Sequence, residues 1–288
     1  MKRTKLIITG VLVLVVSVIL LSLLLSSEGL TVTRYRLPCE GLDRPIRIVQ
    51  LSDLHNSEFG DENARLIRKV RQQKPDLIFL TGDMLNYDEK STNIDENLIR
   101  RLSEIAPVYA SYGNHEITHE KIFTEDLHCM YSEAGAVLLE SEWVDVEVNG
   151  QALRIGGIYG YCVPADAPYT WEAESGVAVF MNEYQETDRI KILLCHIPHA
   201  WMKKNTLDYW DVDFVFAGHF HGGQIRIPLI GGLYAPDRGW FPGKCVGLYV
   251  GGDSANCLVL SRGLGGGTGR FPRFNNIPEI VVVELAAG

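Results

Sequence analysis

The chain has 288 residues, 46% of them apolar and 22% charged, with 28 glycines and 12 prolines, a usage that excludes collagen-like and disordered classes. Its 27 Lys and Arg against 36 Asp and Glu give a net charge of −9, which argues against a sequence-independent nucleic-acid binder, since such a protein needs a cationic face. Six cysteines with no C-x-x-C pair make neither a zinc ribbon nor a disulfide-dense scaffold, and no particular disulfide pairing is predicted.

Lys2, Arg3 and Lys5 precede residues 6–25, twenty positions without a charge. At about 1.5 Å per residue, such a helix crosses a bilayer core of about 30 Å. The run exceeds a signal-peptide h-region and SLLLSSEG holds no clear A-x-A site, so residues 1–30 read as a cytoplasmic stub and uncleaved anchor. The alternative is a long signal peptide that is removed. Three basic residues ahead of the span predict a single pass in the cell membrane with residues 31–288 outside the cytoplasm, although Arg34, Arg36, Arg44 and Arg47 follow within about 20 residues.

After residue 45, the short apolar runs 46–51 (IRIVQL), 76–80 (DLIFL) and 107–111 (PVYAS) read as buried strands. Between them, residues 62–73 and 94–105 carry apolar positions at helical spacing. This βαβαβ order predicts an α/β fold with a parallel sheet and a ligand site at the carboxyl ends of its strands. Residues 190–195 (IKILLC) and 214–217 (FVFA) read as further strands, and Cys195 as a buried, inert thiol.

Polar clusters follow these strands in turn. They are Ser52-Asp53-Leu54-His55, Thr81-Gly82-Asp83, Gly113-Asn114-His115-Glu116, His196, and Gly218-His219-Phe220-His221. Five of the eight histidines therefore fall just after apolar strands, beside two aspartates and an asparagine. Imidazole and carboxylate without thiolate suit Mn, Fe or Zn held for chemistry, and argue against a structural zinc.

These motifs, D-x-H, G-D, G-N-H-E, a lone His and G-H-x-H in order over residues 45–285, resemble the calcineurin-like metallophosphoesterase family. The tail, with Ser261 to Gly265, Arg273 to Asn275 and Pro278 to Ile280, resembles its membrane-associated or secreted YkuE/YaeI-like bacterial branch, which is similar to enzymes that hydrolyse UDP-2,3-diacylglucosamine. The resemblance implies a β-sandwich flanked by helices. It implies two divalent ions (Mn2+, Fe2+/3+ or Zn2+), one held by Asp53, His55, Asp83 and His221, the other by Asp83, Asn114, His196 and His219. Asp83 would bridge them, and their joint charge lets water ionise near neutral pH as the nucleophile. His115 is implied on the leaving-group side, as a general acid or an electrostatic donor.

The expected activity is hydrolysis of a phosphodiester or pyrophosphate bond in a phosphorylated small molecule or a lipid-linked envelope substrate. A phosphodiesterase for soluble nucleotides is the alternative, and a non-catalytic metal-binding scaffold the reading from another class. Oligomeric state is left open. Glu116 is expected either to orient a ligand or to supply helix N-terminal charge, and His119 and His128 to lie on the surface. His199 is within reach of the site. Arg262 and Arg273 are expected either to meet a second phosphate or to make structural ion pairs. Residues 159–171 and 231–244 are the specificity loops; Trp240 and Phe241, beside Arg238 and Lys244, either dip into a membrane interface or fold back as core.

Overall fold

The computed structural model describes residues 2–124, 126–160, 175–202, 207, 209–235, 237–252, 256–266 and 271–287. In β2 (Ile46–Leu51) and β3 (Leu77–Thr81), neighbouring residues serve different cores: Ile48, Leu77 and Phe79 face inward to a second sheet, while Val49, Ile78 and Leu80 face outward to helices. A strand buried on both faces has little room for polar residues, so β3 reads as the apolar run LIFL, and β2 (IRIVQL) departs only at Arg47 and at Gln50, whose buried amide donates to Thr81 Oγ1 and Ala217 O.

The chain opens with α1 (Lys2–Glu28), a helix long and apolar enough to cross a membrane. The first sheet has the order β1-β15-β2-β3-β4-β5, where β1 is Thr31–Cys39, β4 Val108–Ser111, β5 Ala136–Leu139 and β15 Glu279–Ala287. Strands β2 to β5 are parallel, and β15 inserts between β1 and β2, antiparallel to β2. Helices α2 (Ala64–Gln73), α3 (Asn93–Ser103) and α5 (Leu127–Glu133) lie over its outer face. The expected first helix starts two residues late, because Glu62 (φ 46°) and Asn63 (φ 59°) take left-handed backbone in a 3-10 turn.

The second sheet runs β13-β14-β9-β8-β7-β6. Its parallel centre is β7 (Gln151–Ile158), β8 (Ile190–Cys195), β9 (Phe214–Ala217) and β14 (Cys257–Leu260). Antiparallel β6 (Glu142–Val148) and β13 (Gly247–Val250) close its edges. The two sheets pack face to face, with Phe79 and Phe216 ring centroids 5.1 Å apart across the interface. Phe180 and Tyr184 of α6 (Ser175–Tyr184), with Trp201 and Trp210, cover the outer face of the second sheet. This is the expected α/β sandwich flanked by helices. A small sheet of β10 (Ile225–Ile227), β11 (Gly231–Ala235) and β12 (Gly239–Trp240) lies apart from both. The specificity loop expected at 159–171 lies outside the described residues from 161 on.

Cys39, Cys129, Cys195, Cys245 and Cys257 are free thiols. Burial pushes Cys195 up to about 12, consistent with an inert thiol.

Candidate metal centre

Strands of both sheets end on one rim, and the loops that follow tie that rim together. The N–H of Asp53 donates to Gly82 O at 3.0 Å, that of His55 to Asp83 O at 3.1 Å, and that of Gly218 to His196 O at 3.2 Å. Gly82 (φ +75°) is required here, because a Cβ at this position would lie 2.6 Å from Gly113 N and 2.7 Å from His196 Nδ1. Asp53, His55, Asp83, His219 and His221 also hold positive φ, from 48° to 73°. Each such non-glycine conformation costs about 1–3 kcal/mol, and they cluster where side chains converge.

Each of the two aspartates has one oxygen committed and one free. Asp53 Oδ1 accepts the N–H of His219 at 2.9 Å, and Asp83 Oδ1 accepts the N–H of His115 at 2.8 Å. Asp83 Oδ2 is then faced by Nε2 of His196 at 3.1 Å, of His55 at 3.8 Å and of His115 at 4.0 Å. Ligand atoms of Asp53, His55 and His221 lie within 4.8 Å of one another, and so do those of Asp83, His196 and His219.

Neighbouring groups orient the imidazoles. His196 Nδ1 is 2.8 Å from Thr81 O, His55 Nδ1 is 3.1 Å from Asn86 Oδ1, and His219 Nε2 is 2.7 Å from Asp237 Oδ2. A carbonyl or carboxylate acceptor fixes the ring proton on that nitrogen and leaves the other lone pair for a ligand. Among the described residues, the buried atoms Asp53 Oδ2, His55 Nε2, Asn114 Oδ1 and His221 Nδ1 have no hydrogen-bond partner. Orphaned buried acceptors are expensive, and a divalent cation of the kind that binds oxygen and imidazole would satisfy them, so the residue set fits metal.

Without a cation, the buried carboxylates and imidazoles ionise against one another. Burial opposes ionisation of Asp83, but His196 and His55 outweigh it and hold the carboxyl well below the usual range. Burial likewise opposes protonation of His196, while Asp83 and Asp53 push it up to about 10. Burial lowers His55 to about 3 and His221 well below its ordinary value.

All eight residues singled out from sequence, Asp53, His55, Asp83, Asn114, His115, His196, His219 and His221, meet at this rim. The calcineurin-like phosphoesterase family profile matches residues 46–223. The chain belongs to this family. Family membership and the phosphodiesterase relatives make it a metal-dependent phosphohydrolase. It is 28% identical over 254 residues to phosphodiesterase YaeI of Escherichia coli, covering 84% of this chain and 82% of that one. It is 28% identical over 253 residues to the metallophosphoesterase YkuE of Bacillus subtilis, covering 83% and 78%. It is 24% identical over 282 residues to UDP-2,3-diacylglucosamine pyrophosphatase LpxG of Chlamydia muridarum, covering 83% of each. The family and its YaeI/YkuE-like bacterial branch are thus as the motifs implied.

Other residues fall where the sequence left two readings open or gave the wrong one. Glu116 is a scaffold for the loops, accepting the N–H groups of Asp83, Met84 and Gly113 at 2.9, 2.7 and 2.8 Å. Arg262 pairs with Glu279 at 2.9 Å, and the buried Arg273 guanidinium donates to four carbonyls, so both are structural. His119 is not on the surface: it is fully buried, with Nε2 3.0 Å from Glu89 O and its ring against Phe123. His128 is exposed. The His199 ring packs 5.9 Å from that of His219. Asn86, Tyr87 and Asp237 were not anticipated, since they sit in loops where no spacing marks them.

Proposed function

We propose that this chain is a membrane-anchored phosphoesterase in which residues 31–288 form one catalytic domain outside the cytoplasm, acting on a phosphodiester or pyrophosphate bond in a lipid-linked substrate. One observation carries the reaction class: a bridging-competent carboxylate, Asp83, whose Oδ2 is ringed by three imidazoles with orphaned ligand atoms on either side. In this reading, Asp53, His55, Asp83 and His221 hold one ion, and Asp83, Asn114, His196 and His219 hold the second, as Mn2+, Fe2+/3+ or Zn2+. Two such ions supply Lewis-acid charge that ionises water near neutral pH and neutralises phosphoryl oxygens.

The chain's own residues supply position. Asp53 and Asp83 keep fixed orientations because each has one oxygen tied to a backbone N–H from a different loop. His115 Nδ1 accepts the N–H of Tyr87 at 3.1 Å, so a neutral ring carries its proton on Nε2, the nitrogen that faces the site. Burial lowers its pKa, opposed by Asp83, which favours that neutral form. His115 therefore acts as a neutral donor to developing negative charge on the leaving side, a role that needs no protonated imidazole.

Support for a lipid-linked substrate comes from the link between α1 and the site. A cavity of about 780 Å3 lies between the last two turns of α1, at Leu23 and Leu24, and the segment carrying Leu264, Gly265 and Phe271. Leu264 and Gly265 donate their N–H groups to Ser52 O and Asp53 O at 2.9 and 2.6 Å, so this space, lined also by Ser26, Ser27, Ser57 and Arg273, abuts a candidate metal-site loop. The LpxG relative, named for a diacylated sugar nucleotide, points the same way.

The test uses the full chain in lipid nanodiscs, stripped of metal and reloaded with Mn2+, with a soluble diester, a monoester and a diacylated UDP-sugar as substrates. Metal-dependent turnover that is fastest on the diacylated substrate is the expected result. Equal rates on soluble nucleotide diesters would overturn the lipid assignment and leave the reaction class standing.

A further inference from the structure

The small sheet β10-β11-β12 has two ends of opposite character. At one end, Asp237 in the β11–β12 turn meets His219 of the metal centre. At the other, the β10–β11 turn carries Leu229 and Ile230, 108% and 65% exposed. Trp240 and Phe241 are 58% and 70% exposed, so they did not fold back as core. The N–H of Phe241 donates to Leu233 O at 2.8 Å, which places it close to that turn. Trp240 stands opposite Tyr234 on β11, with one edge against Tyr234 and Phe271. Burial of each such side chain is worth about 1.5–3 kcal/mol, and four left largely exposed on one small sheet mark a contact surface.

The position of α1 identifies what covers it. The N–H of Asn275 donates to Ser22 Oγ of α1 at 2.9 Å, and its side-chain amide donates to Arg226 O of β10 at 3.2 Å. The N–H of Arg226 returns a bond to Phe274 O at 3.0 Å. Ser22 lies inside the uncharged run 6–25, one turn or about 4.5 Å before its end. With that run across a bilayer, Asn275 and Arg226 sit at the hydrocarbon boundary, beneath a headgroup layer of about 5–7 Å. Leu229 is three residues further on, at most about 10 Å away. Arg226 on β10, next to this turn, adds a basic group to its aromatic and aliphatic ones, the mixture that membrane interfaces favour.

We infer that the β10–β11 turn, with Trp240 and Phe241, inserts into the bilayer interface as a second membrane contact beside α1. The sheet then acts as a strut, its apolar end in lipid and its Asp237 end at His219, holding the metal centre at a fixed height and tilt above the membrane. This rests on the anchored reading above and adds to it the orientation of the site.

Full-length protein in vesicles containing lipids brominated near the headgroup tests this through tryptophan emission. The contribution of Trp240, taken as wild type minus W240F, is expected to be quenched about twofold by these lipids. The double variant L229D/I230D is expected to abolish that quenching while the chain stays in the membrane through alkaline carbonate extraction. Trp240 emission quenched by aqueous iodide and untouched by brominated lipid, in carbonate-resistant protein, would overturn the second contact alone. Release of the whole chain by carbonate would overturn the anchor, and the strut with it.

Discussion

Glu116 Oε2 accepts the backbone N–H of Asp83 at 2.9 Å, and its partner oxygen accepts that of Met84 at 2.7 Å. A carboxylate on α4 (Asn114–Phe123) thereby sets the loop that aims Asp83, while Gly113 N–H closes the same contact at 2.8 Å. Replacement by Gln sets an NH2 group against at least one of these donors. Glu116→Gln is expected to destabilise the fold by about 2 kcal/mol and to weaken metal binding about 10–100-fold. Thermal unfolding and metal titration check it; an unchanged metal affinity would mean that Asp83 is held by something else.

Asp83 and His115 separate binding from chemistry. Asp83→Asn is expected to lose both bound metal and turnover, because it removes the carboxylate charge that the proposed reading places between the two ions. His115→Ala is expected to keep its metal, since Asp83 Oδ1 is bound by the backbone N–H of residue 115 and not by its ring. Its kcat should fall about 10²–10³-fold. His115→Gln, which retains an N–H donor, is expected to recover about tenfold over Ala. Elemental analysis alongside kcat would contradict this division if the Ala variant lost its metal.

Much of this geometry was legible in the sequence, for identifiable reasons. β2, β3 and β4 are buried on both faces, so Ile46 to Leu51 and Phe79 to Leu80 stand out as apolar runs, and the first polar residue after each is at the rim. The parallel order sends every such end to the same side, which brings Asp53, Asp83, Asn114, His196 and His219 together from distant positions. What escaped depends on contacts distant in the chain. The C-terminal β15 pairs with both β1 and β2, and no local pattern announces that register. Asp237 reaches His219 across 18 positions from a turn with φ +57°, and Asn86 reaches His55 across 31. His119 looked solvent-facing on a helix with little amphipathic contrast, yet the Glu89 loop folds over it.

Asp95 gives a pH dependence with a definite sign. It is fully buried on α3, where burial first and the nearby Glu116 second raise its pKa well above 3.8. Its Oδ2 accepts from Asn56 Nδ2 at 3.1 Å, and its Oδ1 has no hydrogen-bond partner among the described residues. Below the unfolded pKa both states are protonated. As pH rises from there through the folded pKa, the unfolded chain ionises first, and stability is lost. In metal-free protein, the contribution of Asp95 to Tm is therefore expected to fall as pH rises from 4 toward neutrality. Asp95→Asn keeps an acceptor for Asn56, so it is expected to flatten that fall and raise Tm at pH 7 above wild type. Parallel melting curves in chelator decide it; a variant with the same slope as wild type would assign the dependence to another group.

Helix α1 and the candidate metal centre are joined by a chain of hydrogen bonds. Ser26 Oγ accepts the N–H of the fully buried Asn276 at 3.0 Å, and Asn276 Nδ2 donates to His221 O at 2.6 Å. Ser26 is itself buried, in the last turn of α1. Ser26→Ala removes the acceptor and leaves a buried N–H unsatisfied, at a cost of about 1–3 kcal/mol. Because the next link is the carbonyl of a candidate metal ligand with left-handed backbone, metal affinity should weaken along with Tm. Ser27→Ala, one position on and exposed, loses only a bond to Leu24 O within the helix and serves as the control. Measured in detergent with Mn2+ titration, a Ser26→Ala protein that melts early yet binds metal as tightly as the Ser27→Ala control would confine the coupling to stability and sever it from the site.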